Sequence, residues 1–126
     1  PIKLEARTLY KELYNMHMIK PIEFLADSLD VLRSFPQTAK RDVGFQLDRV
    51  QHGLDPDDSK PMNAIGAGVY EIRIRDISGI FRVIYVAKFK EAVFVLHCFQ
   101  KKSEKTAKPD IDLAKSRLKA LIRRLK

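Results

Sequence analysis

The stretch from Val69 to Lys102, VYEIRIRDISGIFRVIYVAKFKEAVFVLHCFQKK, restricts the fold of this chain more than any other part. It reads as three β-type runs joined by tight turns. From Val69 to Asp76 the residues alternate, with Tyr70, Ile72 and Ile74 on one face and Glu71, Arg73 and Arg75 on the other. Ser78-Gly79 suits a hairpin turn. Ile80–Phe89 is apolar on both faces apart from Arg82, Tyr85 and Lys88, the pattern of a central strand covered on both sides. Lys90-Glu91 turns the chain into a third strand, Ala92–Lys101. There strict alternation sends Phe94, Leu96 and Cys98 one way and Val95, His97, Phe99 and Lys101 the other. A chain with this centre is expected to build a curved, mainly antiparallel sheet that presents cations.

The remaining segments read as support. Ile19–Leu25 suits a short strand. Asp27 or Ser28 is placed to cap a helix running to Phe35, and Pro36 starts a second helix reaching about Gln51. That helix carries an apolar stripe of Ala39, Val43, Leu47 and Val50, and Gly53 suits its C-terminal cap. With almost nothing between them, the two helices are expected to form an antiparallel hairpin. Asp55, Asp57 and Asp58 lack the spacing and distal glutamate of a calcium loop and read as a turn around Pro56. Lys60–Ile65 suits an edge strand, since Pro61 is compatible only with an edge. A last helix begins near Pro109, with Asp110 and Asp112 at its positive end and Arg123, Arg124 and Lys126 at its negative end. Its apolar stripe includes Ile111, Ala114, Leu118, Leu121 and Ile122. The fold class is therefore α+β, with an N-terminal helical hairpin and a C-terminal helix against the sheet. Residues 18–126 form the domain. Residues 1–17, whose Ala6, Leu9, Tyr10, Leu13 and Tyr14 recur at helical spacing, read as a helical extension, either native or a cloning remnant.

The chain of 126 residues carries a formal net charge of +8. From His97 to Lys126 there are ten Lys/Arg against three Asp/Glu, so nearly all the excess lies in this segment. A basic end on a neutral body suggests a polyanion partner: RNA, DNA or an acidic protein. Cys98 is the only cysteine, which excludes an intrachain disulfide, and its apolar setting suits a small buried hydrophobe. No apolar run is long enough for a bilayer and no secretory signal is evident, so a cytoplasmic location is expected.

Most enzyme signatures are absent. There is no Gly-rich phosphate loop, no dinucleotide fingerprint, no His/Cys metal spacing and no acidic cluster of the two-metal kind. Neither a metal nor a cofactor is expected. What remains is a cationic face: Arg73, Arg75, Arg82, Lys101, Lys102 and Lys105, with His97 and Phe99 beside Lys101. Arginine forks and lysines bind phosphate, and rings stack on unpaired bases. RNA carries its own nucleophile, the 2′-hydroxyl. Cutting it without metal needs a base, cations for the transition state and an acid for the leaving oxygen. His97, Glu71 and a lysine crowded by other cations are all candidates for the base.

The run EIRIRDISGIFRVIYVAKF, then VFVLHCFQKKSEKT and DIDLAKSR, resembles the RelE/HigB toxin superfamily of type II toxin–antitoxin systems, and its phage-derived HigB-like subgroup in particular. The opening IKPIEFLADSLDVLRSFP fits as well, so the resemblance extends from Met18 to about Arg124. It implies a RelE-like microbial RNase fold and ribosome-dependent mRNA cleavage. It also implies a cognate antitoxin, often of the helix-turn-helix type, through which the toxin can oligomerise. By position, Arg73, Arg82 and Lys101 match basic catalytic positions of the family, with His97 as catalytic and Phe99 and Lys102 as RNA-binding members of the subgroup's own motif. Glu71 stands where RelE-type members often carry a lysine, and no tyrosine occurs from Thr106 to Asp110. The alternative is a non-catalytic module that binds RNA, the ribosome or an antitoxin.

Overall fold

The computed structural model describes residues 19–102 and 104–126; the expected helix over residues 1–17 lies outside them. In chain order the elements are β1 (Ile22–Phe24), α1 (Ser28–Arg33), α2 (Gln37–Gln51), β2 (Ser59–Pro61), β3 (Val69–Asp76), β4 (Gly79–Val86), β5 (Val93–Gln100) and α3 (Lys108–Leu125). The strands form one sheet in the order β1-β5-β4-β3-β2. All neighbours are antiparallel except β1 and β5, which run parallel with Ile22 opposite Val93. The expected α+β class holds. The central strand β4 has both faces covered, as its two-sided apolarity requires.

Two cores result, one on each side. On the first face Ile72, Ile74, Phe81, Val83 and Tyr85 pack beneath Ala39, Val43, Leu47 and Val50 of α2. On the other, Val69, Ile84, Val86, Phe94 and Leu96 pack beneath Ala114, Leu118 and Leu121 of α3. Gly66 lets the loop before β3 touch that helix: a Cβ there would lie 2.6 Å from Leu118 Cδ2. Truncating Leu118 in such a setting removes about 2–5 kcal/mol of stability.

Several boundaries shift. The first strand is shorter than Ile19–Leu25, because Lys20 N bonds the Gln51 carbonyl of α2 and Pro21 has no N–H, joining β5 only by accepting the Val93 amide. The edge strand stops at Pro61, which has no N–H to continue a ladder. β4 ends at Val86, and the Lys20 ammonium takes the next carbonyl, that of Ala87, at 2.5 Å. Asp27 stands at the N-cap of α1 but makes no capping bond; its carboxylate accepts from Arg117 Nη2 at 2.6 Å instead. The β3–β4 turn is Ile77-Ser78, and Gly79, at φ 136°, opens the next strand.

The largest departure is in β5. Between Ile84/Tyr85 of β4 the register slips, so that Ile84 faces His97 while Tyr85 faces Val95, leaving Leu96 as an extra residue. This β-bulge reverses the alternation. Cys98 joins the α2 core with Val93 and Val95, while Phe94, Leu96 and Phe99 line the α3 side. The even grouping of Phe94, Leu96 and Cys98 expected from a regular strand is thus broken after Leu96. His97 and Phe99 keep company with Leu96.

Burial pushes the Cys98 thiol up to about 12, and burial likewise raises the Tyr85 phenol to about 12. Both folded values exceed those of the unfolded chain, so the neutral forms stabilise the fold fully below about pH 9 to 10, and this contribution is lost as pH rises toward 12. Urea midpoints should therefore fall between pH 9 and 11, and Tyr85→Phe with Cys98→Ala should flatten that fall. Native Cys98 should also resist thiol reagents until the chain unfolds.

Candidate active site

The α3-side face of the sheet carries a lattice of polar residues set by register. Cross-strand neighbours share a face. One row runs Lys60, Glu71, Ile84, His97 across β2 to β5; the next runs Arg73, Arg82, Phe99. Arg75 lies opposite Ile80, whose carbonyl accepts the Lys101 amide at 2.7 Å. Strand pairing thus brings Arg73, Arg82, His97, Phe99 and Lys101 onto one surface.

At its centre Glu71 and Arg82 are both completely buried and bonded to each other through Oε1 and Nη1. They sit diagonally across β3 and β4. The second Glu71 oxygen accepts from Thr106 Oγ1 at 2.6 Å, and Arg82 Nη2 donates to the Glu104 carbonyl at 3.3 Å. These two bonds hold Glu104 and Thr106 against the sheet. Loss of solvent lowers the Arg82 pKa, opposed by Asp58 and Glu104, yet a guanidinium stays charged at neutral pH. Glu71 has no solvent access and both oxygens engaged, so as folded it anchors the site and is not open to a substrate.

Lys60 is the accessible cation beside this pair. Its Nζ is 3.9 Å from Glu71 Oε1 and its side chain is 35% exposed. Burial lowers its pKa, and the positive charges of Arg82, Arg73 and Lys101 lower it further. A lysine so crowded reaches its neutral, basic form more readily than an ordinary one. Sequence reading assigned Lys60 only to an edge strand; its place opposite Glu71 depends on the β2–β3 register.

The other expected residues fall into two groups. Lys101 is nearly buried, its Nζ 3.6 Å from the exposed Glu104 carboxylate. His97 is 7% exposed, stacks on Phe99 at 4.9 Å between ring centres, and sits 2.7 Å through Nε2 from Asp110 Oδ1 of α3. With Nε2–H donating, Nδ1 is left buried with no hydrogen-bond partner. Arg73 and Arg75 share one carboxylate, with their Nε atoms 3.3 Å and 3.7 Å from the two oxygens of Asp58. Arg75 is otherwise mostly in solvent. Lys102 and Lys105, which follow β5, are both exposed.

Asp58, Thr106, Asp110 and Arg117 were not anticipated as site residues. Arg117 Nη1 donates to the carbonyl of Leu96, the extra bulge residue, at 2.8 Å. Asp110 was legible only as a favourable charge at a helix start. Nothing local in the sequence ties it to His97. Among the described residues no group of three or more His, Cys, Asp or Glu side chains could hold a metal, and no described helix is long and apolar enough to cross a membrane.

Removing one member of the buried pair leaves the other charge stranded, at a cost of about 3–5 kcal/mol. Glu71→Ala and Arg82→Ala should each lower unfolding free energy by about that much in urea titrations. The double change Glu71→Leu with Arg82→Met should recover most of the loss. Additive losses in the double variant would show the two residues to be uncoupled.

Comparison with known proteins agrees with this architecture. No curated protein matches the chain. The E. coli toxin RelE, solved in the free state as an arginine double mutant, matches with a TM-score of 0.58 at 17% identity, covering 82% of this chain and 99% of that one. At that identity the likeness shows the fold. The model of the family described as phage derived protein Gp49-like matches residues 30–119, most of the chain, and this protein belongs to that family.

Proposed function

We propose that the chain is the toxin of a type II toxin–antitoxin pair, an endoribonuclease that cuts mRNA on the ribosome by metal-free attack of the 2′-hydroxyl. The observation that carries this reading is the crowding of Lys60, Arg73 and Lys101 around the buried Arg82–Glu71 pair on one sheet face. The RelE-like fold and the Gp49-like family support it.

In the proposed reaction neutral Lys60 takes the proton from a 2′-hydroxyl. The freed oxygen bonds to the adjacent phosphorus, and the bond to the 5′-oxygen breaks, leaving a 2′,3′-cyclic phosphate. The leaving oxygen takes its proton from the Lys101 ammonium. Arg73 holds the phosphate oxygens as negative charge builds, with Arg75 beside it at the edge of the face to contact the RNA. The stacked His97 and Phe99 rings supply a surface for a base, and Asp110 fixes the imidazole. Lys102 and Lys105 add attraction for the RNA backbone from their loop. The partners on this reading are ribosome-bound mRNA and an antitoxin of helix-turn-helix type, in the cytoplasm.

One feature favours a second reading, a non-catalytic RNA-binding module: Glu71 neutralises the central arginine. A single set of experiments separates the two. Primer extension on a reporter mRNA during induced expression should reveal new 5′ ends. Cutting in vitro should need intact ribosomes and no added metal. Lys60→Arg keeps the charge and removes the base, and should slow cutting about 10²–10⁴-fold. The wild-type rate should rise with pH as Lys60 loses its proton and level off below the ordinary lysine value, because its pKa is lowered. An active Lys60→Arg variant with the same pH profile removes Lys60 as the base. Salt-dependent RNA binding with no new 5′ ends, at a slope of about 0.7 per phosphate neutralised on a single strand, supports the binding module.

A further inference from the structure

Phe45 lies on the outer side of α2 with 58% of its surface exposed. It does not stand alone. Together with Asp42, Gln46, Asp57, Asp58, Arg73, Ile74 and Arg75 it lines a cleft of about 350 Å³. The cleft lies where β2 has not yet begun, so that beside Arg73 the edge of β3 meets only the Asp58 carbonyl, which accepts the Arg73 amide at 2.9 Å. One wall is therefore an aromatic ring of α2, and the opposite wall is the Arg73–Arg75 edge of the site described above.

The charges of this cleft are arranged unusually. Asp57 is taken up by Gln46, which donates from Nε2 at 2.8 Å and accepts the Asp57 amide at 2.8 Å, and by Arg49 at 3.8 Å. Asp58 is shared by two arginines. Asp42 makes no hydrogen bond or ion pair with the described residues, and it precedes Phe45 by three positions on the same helix face. Two arginines and three carboxylates line the cleft, and Arg49, paired with Asp57, supplies the third positive charge. A charge-neutral, aromatic-walled cleft is poorly suited to a phosphate and well suited to a base, whose ring is neutral and whose edge offers both donors and acceptors.

We infer that this cleft is a nucleobase subsite for single-stranded RNA, in which Phe45 stacks on the base and Asp42 reads its edge, with guanine as the preferred occupant. The free Asp42 carboxylate matches the paired N1–H and N2–H donors of guanine, while the Arg75 guanidinium matches its O6 and N7 acceptors. The phosphate on one side of that nucleotide then reaches Arg73, which continues into the row of Arg82 and Phe99. The inference rests on the RNA reading of the sheet face and adds a flanking position at which sequence is recognised.

The chain has no tryptophan, so Phe45→Trp installs a single indole as reporter. The exposure of position 45 leaves the fold unaffected. Titration with short oligoribonucleotides should quench its emission in parallel with RNA binding followed by anisotropy of a dye on the RNA. An oligomer containing guanine should bind more tightly than its cytosine counterpart, and Asp42→Asn should erase that difference. Phe45→Ala should weaken binding about five-fold or more, the loss of one stacked base. RNA binding by anisotropy with unchanged indole emission and no loss in Phe45→Ala overturns the subsite while leaving the cationic face intact. Absence of binding to any RNA overturns both readings.

Discussion

The Arg82–Glu71 pair is the constraint on which the site depends. Two fully buried charges on adjacent central strands lose their hydration, at several kcal/mol per ion even after relaxation. Their mutual attraction offsets this only if the remaining polar atoms are bonded too. Thr106 bonds Glu71 Oε2 and the Glu104 carbonyl bonds Arg82 Nη2, leaving only Arg82 Nε of the pair buried without a partner, and both residues belong to the segment after β5. They are therefore fixed over the sheet by an electrostatic requirement of the strands beneath them. That in turn places Lys101 near the pair and confines Lys60 between Glu71 and the surrounding cations, which is why burial and like charge both act on its ammonium.

A second dependency runs through the bulge at Leu96. In a regular strand His97 would point toward the α2 core. The extra residue turns it toward α3, where Asp110 takes Nε2. The same helix also donates from Arg117 to the Leu96 carbonyl and to Asp27. α3 thus grips both the bulge and the residue the bulge redirects, in addition to covering its own core with Leu118 and Leu121. Its contribution to the site is one of placement, made through an apolar stripe on one side and polar contacts near its start and middle.

The legible parts of the fold were those with strong local patterns. β3 was readable to its last residue because its alternation is uninterrupted and its exposed edge residues are charged. The central position of β4 followed from apolarity on both faces. The arginines and lysines of the face were legible as residues, and register confirms that Arg73, Arg82 and Lys101 share it. The bulge was not legible, since Val93–Leu96 is apolar on both faces and offers no residue that marks a slip before His97. Nor was the burial of Glu71: as the acidic member of an outward face it read as a base candidate, and only the diagonal to Arg82 shows that its charge is consumed. Lys60 was missed because its importance comes from what lies across the strand from it, about which its own neighbours in sequence say nothing.

Charge illustrates the same point at a larger scale. The excess of cations falls almost wholly after His97, which draws attention to the last helix. Yet several of those cations are occupied in the fold: Arg117 with Asp27, Arg124 with Glu23, Lys108 with Asp112. Lys60, Arg73 and Arg82 come from the part of the chain that is nearly neutral overall, and they dominate the site because strand pairing gathers them within a few ångströms and excludes water from much of their surroundings. Screening confines exposed charges to short range, whereas partly buried ones act on one another more strongly. The field a phosphate would meet is therefore set by cross-strand register and burial, and net charge by itself indicates only that a polyanion is a reasonable partner.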